Sequence, residues 1–198
     1  MEVLDYILDV LQTIAVVAVA IIAFVGLRSW KQELLGKRQS EIAEQAIVAA
    51  ASVRDAFAYV RSPASFKGEG QTRNRESDEK EKISEVLDQD FVPIERLNKF
   101  TDEFAQLRST MLLCKAHFEE GVTEPFDELF RIRSEIIRAA RFRMMISRNN
   151  RLYNEKREEQ YFQREEIIWD HGDEDKLNPR IEKAVSNIET YFGELLKP

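Results

Sequence analysis

VLQTIAVVAVAIIAFVGL, residues Val10 to Leu27, decides how the rest of the chain is read. It is eighteen uncharged residues long, with Asp9 before it and Arg28 after it. At about 1.5 Å of rise per residue, such a run makes roughly 27 Å of helix. That approaches the ~30 Å of a hydrocarbon core, provided the flanking residues sit at the interfaces. A cleaved signal peptide would open on basic residues, whereas this chain opens with Glu2, Asp5 and Asp9. A buried core helix would need cover on every side, because only Gln12 and Thr13 interrupt the apolar surface. The expectation is a single membrane-spanning helix.

Arg28, Lys31, Lys37 and Arg38 follow the run, and no Lys or Arg precedes it. By the positive-inside rule this predicts an outside N-terminus and a cytosolic C-terminal domain, with Arg28, Trp30, Lys31, Lys37 and Arg38 as interfacial anchors. Residues 1–29 then form a tail and anchor, and residues 30–198 one helical domain of ordinary size. Seven glycines and five prolines argue against an all-β sandwich. The single cysteine, Cys114, cannot form an internal disulfide, in keeping with a reducing compartment. A net charge of −7 disfavours nucleic-acid binding by the surface as a whole.

Beyond the run the pattern is helical. Leu35, Ile42, Ala46, Ala49, Val53, Ala56 and Val60 recur at threes, fours and one seven, an alanine-rich seam that lets a partner helix approach closely. Gly36 is its one weak point. Ser62-Pro63 ends this helix, and residues 62–76 read as a polar loop. Its Gly68-Glu69-Gly70 lacks the Lys-Ser/Thr ending of a phosphate-binding loop. A charged segment follows, with a short helix suggested by Ile83 and Leu87.

Pro93 is expected to open a helix with the stripe Leu97, Phe100, Phe104, Leu107, Met111, Cys114 and Phe118. Thr123 is the expected N-cap of the next helix. Its seam Leu129, Ile132, Ile136 and Ala139 then meets Arg143 and Asn150. Either the seam rotates there and Arg143 snorkels out, which is the favoured reading, or Arg143 and Asn150 fix register or a partner. Asn178-Pro179 is expected to cap a closing helix with the stripe Ile181, Val185, Ile188, Phe192 and Leu195.

Between Arg131 and Arg151 seven arginines face one acid, Glu135, while from Glu155 to Lys176 nine acids face four bases. Internal neutralisation is the plain reading. The sharper one has Arg138, Arg141 and Arg148 meeting anionic lipid, a phosphate-bearing ligand or a partner. The acidic turn around His171 lacks the EF-hand spacing, so no metal is expected. No nucleophile elbow, zinc, Walker or dinucleotide fingerprint occurs, so neither a cofactor nor an enzymatic activity is expected.

The pattern Trp30-Lys31-x-Glu33-Leu34-x-Gly36-Lys37, then Ala43, Arg54-Asp55-Ala56 and Arg61-Ser62-Pro63, resembles a set of uncharacterised bacterial single-pass membrane proteins. The likeness covers roughly residues 10–72 and, more loosely, the helix around Ile188-Glu189. The resemblance implies an inner-membrane location and an all-helical cytosolic domain, and it carries no activity. The sequence thus predicts an all-α protein: one transmembrane helix followed by an antiparallel bundle of about four long helices. Its expected role is a self-associating scaffold or adaptor acting through protein contacts. The alternatives are an oligomeric membrane effector of a stress or phage-defence system and a lipid or phosphate sensor.

Overall fold

The computed structural model describes residues 2–77, 79–148 and 155–197, with side chains from Val16 onward except those of Glu155 and Lys156. The described residues form six α-helices and no strand: α1 (Glu2–Arg61), α2 (Glu81–Lys99), α3 (Thr101–His117), α4 (Glu124–Arg148), α5 (Glu155–Ile168) and α6 (Asn178–Leu195), with a 3₁₀ turn at Gly172–Glu174. The all-helical expectation therefore holds. The chain divides into two compact units, Met1–Glu41 and Ile42–Pro198.

In the first unit the expected span is overturned. Among the described residues, no helix is long and apolar enough to cross a membrane. The single-pass, N-outside inner-membrane location is withdrawn on this finding. So is the interfacial role of Arg28, Trp30, Lys31, Lys37 and Arg38. All five are exposed, and Lys37 pairs with Glu33 at 2.9 Å while Arg38 pairs with Glu41 at 3.0 Å. Val16, Ile22 and Phe24 are more than 60% exposed, so residues 16–27 present an apolar surface.

The second unit is a bundle built on the predicted stripes. Ile42, Ala46, Ala49, Val53, Ala56 and Val60 are all buried. The short alanine side chains allow close packing, and Phe57 sets its ring edge-on to Phe104 with centroids 5.5 Å apart. On α3 the buried residues are Phe104, Leu107, Met111 and Cys114; on α6 they are Ile181, Val185, Ile188 and Phe192. Each large apolar side chain removed from water contributes about 1.5–3 kcal/mol. Cys114 lies in the core as a small hydrophobe, its thiol pushed up to about 11 by burial. α4 packs against α2, α3, α5 and α6, which makes it the central element.

Two helix boundaries differ from the sequence reading. Pro93 does not open a helix. It sits inside α2, and the break falls at Phe100 (φ −105°, ψ 26°), where Thr101 Oγ1 donates to the Asn98 carbonyl. Leu97 and Phe104 nevertheless join the same core. Asn178 does not cap α6 either. Its side chain accepts a hydrogen bond from Arg61, and Asp175 Oδ1 instead accepts the backbone N–H groups of Leu177 (2.8 Å) and Asn178 (2.6 Å).

The end of α1 is held by two fully buried arginines. Arg96, on α2, donates to the carbonyls of Ser62 (2.7 Å) and Ala64 (2.6 Å) and to Glu69 Oε2 (2.6 Å). It thereby places a cation at the helix C-terminus, where unpaired carbonyls concentrate negative charge. Arg61, the last residue of α1, donates to Asp175 at 2.6 and 2.9 Å and to the Trp169 carbonyl at 2.8 Å.

The polar loop is strapped down by the same device. Glu95 accepts the backbone N–H of Gly70 (2.9 Å) and the Thr72 hydroxyl (2.7 Å), and Arg73 bridges Glu79, Asp88 and Ser84. Gly70 has φ +83°, and a Cβ there would lie 1.9 Å from the Asp88 carbonyl oxygen, so only glycine fits.

Asp175 is subject to opposing effects. Burial raises its carboxyl, but Arg61 and the capping N–H groups bring it down to about 2. A depressed carboxylate stabilises the fold above its unfolded value and loses that contribution as pH falls through the folded one. Asp175→Ala should cost about 3–5 kcal/mol, because it leaves Arg61 buried without its carboxylate. Urea titrations at pH 7 measure this. Repeated between pH 4 and pH 2, they should show wild type losing stability and Asp175→Asn changing less. Equal pH slopes would refute this account.

Candidate functional site

α4 carries the residues singled out by charge, and it carries them on two faces. A 3.6-residue repeat places Leu129, Ile132, Ile136, Ala139, Arg143 and Ile146 along one line, and all six are buried. The seam does not rotate at Arg143, and the favoured expectation of a snorkelling arginine is corrected. Arg143 stays inside because it meets Asp90 of α2, which is itself 2% exposed. Arg143 Nε lies 3.0 Å from Asp90 Oδ1, and its Nη2 donates to the Tyr161 hydroxyl at 2.8 Å. Asn150, the other seam polar residue, lies outside the described residues.

Asp90 is the centre of a buried polar group. Tyr161 donates to it at 3.0 Å and Ser147 at 2.7 Å. Burial pushes the Asp90 carboxyl above its ordinary value, against the pull of Arg143 and the two hydroxyls. The Tyr161 hydroxyl is also held up, by burial and by the charge of Asp90. The Arg143 guanidinium lies 4.2 Å from the Tyr161 ring centroid. The cluster joins α2, α4 and α5 in the heart of the bundle.

The outer face of α4 behaves differently. Arg138 and Arg141 are exposed and, among the described residues, make no ion pair or hydrogen bond. Glu135, the nearest acid in sequence, is bound to Arg180 at 2.8 and 2.9 Å; its carboxyl is lowered first by that bond and only further down by the field of Arg138. Arg138 and Arg141 line a groove of about 650 Å³ together with Arg164 and the apolar side chains of Phe142, Met145 and Ile167. Arg164 stacks over the Phe142 ring at 5.4 Å. An adjoining hollow of about 470 Å³ is lined by Arg141, Met144, Met145 and Arg148. Arg148 is less available, since it pairs with Glu76 at 2.9 Å.

Of the three arginines singled out by the sequence, the fold therefore brings Arg138 and Arg141 to one groove and sets Arg148 beside it, already paired. Sequence reading missed Arg164 because it lies in an acidic stretch. It missed Asp90 because that residue sits in a run of charges that looks solvated. Among the described residues, no group of three or more His, Cys, Asp or Glu is placed to hold a metal ion. Compared with known proteins, the chain matches no family model, no curated protein and no solved structure.

The buried cluster makes its own prediction. Arg143→Met should destabilise the fold by about 3–5 kcal/mol, since Asp90 is left charged and without its partner. Adding Asp90→Leu to that variant should recover much of the loss, because the coupling of two contacting residues is not additive. Chemical denaturation of wild type, the single variants and the double variant tests this. A double variant as unstable as the sum of the singles would refute it.

Proposed function

We propose that this chain is a non-enzymatic helical adaptor, and that the α4–α5 groove is where it takes a protein partner. The partner's contacting segment is acidic and carries apolar side chains. The observation that supports this most directly is the pair of exposed arginines, Arg138 and Arg141, with no carboxylate of their own among the described residues. Beside them, Phe142 and Met145 offer apolar surface, with Met145 46% exposed. Arginine, aromatic and methionine side chains are the types enriched where proteins meet. An amphipathic helix with Glu or Asp on one side and Leu on the other would satisfy both kinds of surface. A free phosphate would use only the arginines and leave the apolar wall unused.

The test is titration of the full chain with a designed Glu/Leu amphipathic peptide and, separately, with inorganic phosphate. The peptide should bind saturably and more weakly as salt rises. Arg138→Glu combined with Arg141→Glu should weaken it at least about tenfold, equivalent to about 1.4 kcal/mol. Phosphate binding as tight as that of the peptide, or an unchanged variant, would overturn the reading.

A second contact follows from the apolar run of α1. Val16, Ile21, Ile22, Phe24 and Leu27 are all more than half exposed. Monomeric soluble proteins rarely leave such a patch uncovered. We propose that a second copy of the chain covers it, so the adaptor self-associates. Sedimentation should show a mass above that of one chain, falling toward the monomer in Ile22→Asp/Phe24→Asp. A wild-type monomer at all concentrations would remove this proposal.

A further inference from the structure

A cavity of about 310 Å³ lies beside the buried Asp90 cluster, shares no lining residue with the arginine groove and plays no part in the proposed partner contact. Its walls are Ile83 and Val86 of α2, Ile146 of α4 and Phe162 of α5, with Ser147, Tyr161 and Lys82 as the polar members. Its volume is at the lower end of that seen for small-molecule sites. The composition, mostly apolar with a few converging polar groups, is also of that kind.

The hydrogen bonds already made decide what the polar end can offer. Ser147 Oγ gives its proton to Asp90 Oδ2 at 2.7 Å. Tyr161 gives its proton to Asp90 Oδ1 at 3.0 Å and accepts one from Arg143 at 2.8 Å, so it too has no proton left to give. A hydroxyl oxygen has one proton to give and two lone pairs to receive. Among the described residues, Ser147 Oγ therefore keeps acceptor capacity and has no proton left for an incoming group. At Ser147 Oγ a ligand that can only accept finds no donor, while one with its own O–H finds an acceptor. Lys82 is exposed and, among the described residues, makes no ion pair or hydrogen bond, so it can donate to the oxygen of that same hydroxyl.

We propose that this cavity is a binding site for a small, neutral, apolar molecule bearing one hydroxyl group. The apolar body lies against Ile83, Val86, Ile146 and Phe162, and the hydroxyl donates to Ser147 Oγ. Asp90 is the positioning residue. By holding the Ser147 proton, it leaves Ser147 Oγ an acceptor.

The site is tested on the full chain with phenol and toluene as probes, by NMR shifts of the Ile83 and Ile146 methyl groups. Phenol should give a saturable shift at lower concentration than toluene, because a partner for its O–H is present. Ser147→Ala should weaken phenol by about tenfold while leaving toluene within about twofold. Val86→Trp should remove binding of both by filling the space, with an unchanged thermal transition showing that the fold survives. If Val86→Trp unfolds the chain, Val86→Phe serves in its place. Equal affinities for phenol and toluene, equal losses of both in Ser147→Ala, or no saturable shift with any probe would each overturn the proposal.

Discussion

A guanidinium group cannot be left out of water without a carboxylate or a set of carbonyls to receive its protons. That constraint organises the bundle, because Arg61 and Arg96 are each about 1% exposed at the end of α1. Arg96 holds the carbonyls where α1 stops and the carboxylate of Glu69 in the following loop. Arg61 reaches across to Asp175, which in turn caps the first turn of α6. A helix end, a loop and the start of another helix are therefore fixed by two side chains. Buried ion pairs add little net stability compared with well-packed apolar residues, but removing one partner is costly. Their effect here is to exclude other closures of the loops, since any other arrangement would leave a guanidinium dry and unpaired.

Stripes of apolar residues were legible in the sequence because they follow from the helical period alone. The seam from Ile42 to Val60, Leu97, Phe104, Leu107, Met111 and Cys114, and Ile181 to Phe192 of the last stripe are buried on the predicted face, whereas Leu35 and Leu195 at the outer ends are exposed. The stripe from Leu97 to Phe118 was legible even though two helices share it. What was not legible depends on residues distant in sequence. Asp175 is 114 positions from Arg61, and Tyr161 is 71 from Asp90. No local pattern distinguishes a charge that meets such a partner from one that faces water. Arg143 was misjudged for that reason. A lone arginine in an apolar seam looks expensive until Asp90 arrives from α2. Asn178 was misjudged as a cap because Asp175, three residues earlier, takes both N–H groups and leaves the amide to Arg61.

The apolar run near the start of α1 shows a different kind of limit. Hydropathy measures how much a surface gains by leaving water, and that gain is non-directional. Composition therefore shows that Val16 to Leu27 needs cover and does not specify the cover. The flanking charges seemed to supply the missing information, but Lys37 and Arg38 find Glu33 and Glu41 one turn away on the same helix. Pairs at that spacing are common on exposed helices and worth only a few tenths of a kcal/mol. Charge counts near an apolar run therefore carry less information when acids are interleaved with the bases.

α4 brings these points together, since one helix uses the same residue type for two purposes. Arg143 points inward, where Asp90 pairs with its charge and the Tyr161 hydroxyl accepts from it. Arg138 and Arg141 lie on the opposite face, where the nearest acid, Glu135, is already committed to Arg180. The acid that would have neutralised the outer face is thus held by α6. The same reasoning runs through the cavity beside Ser147, where Asp90 consumes the protons and leaves lone pairs. In both places, what the surface can recognise is set by which half of each pair the fold has already used.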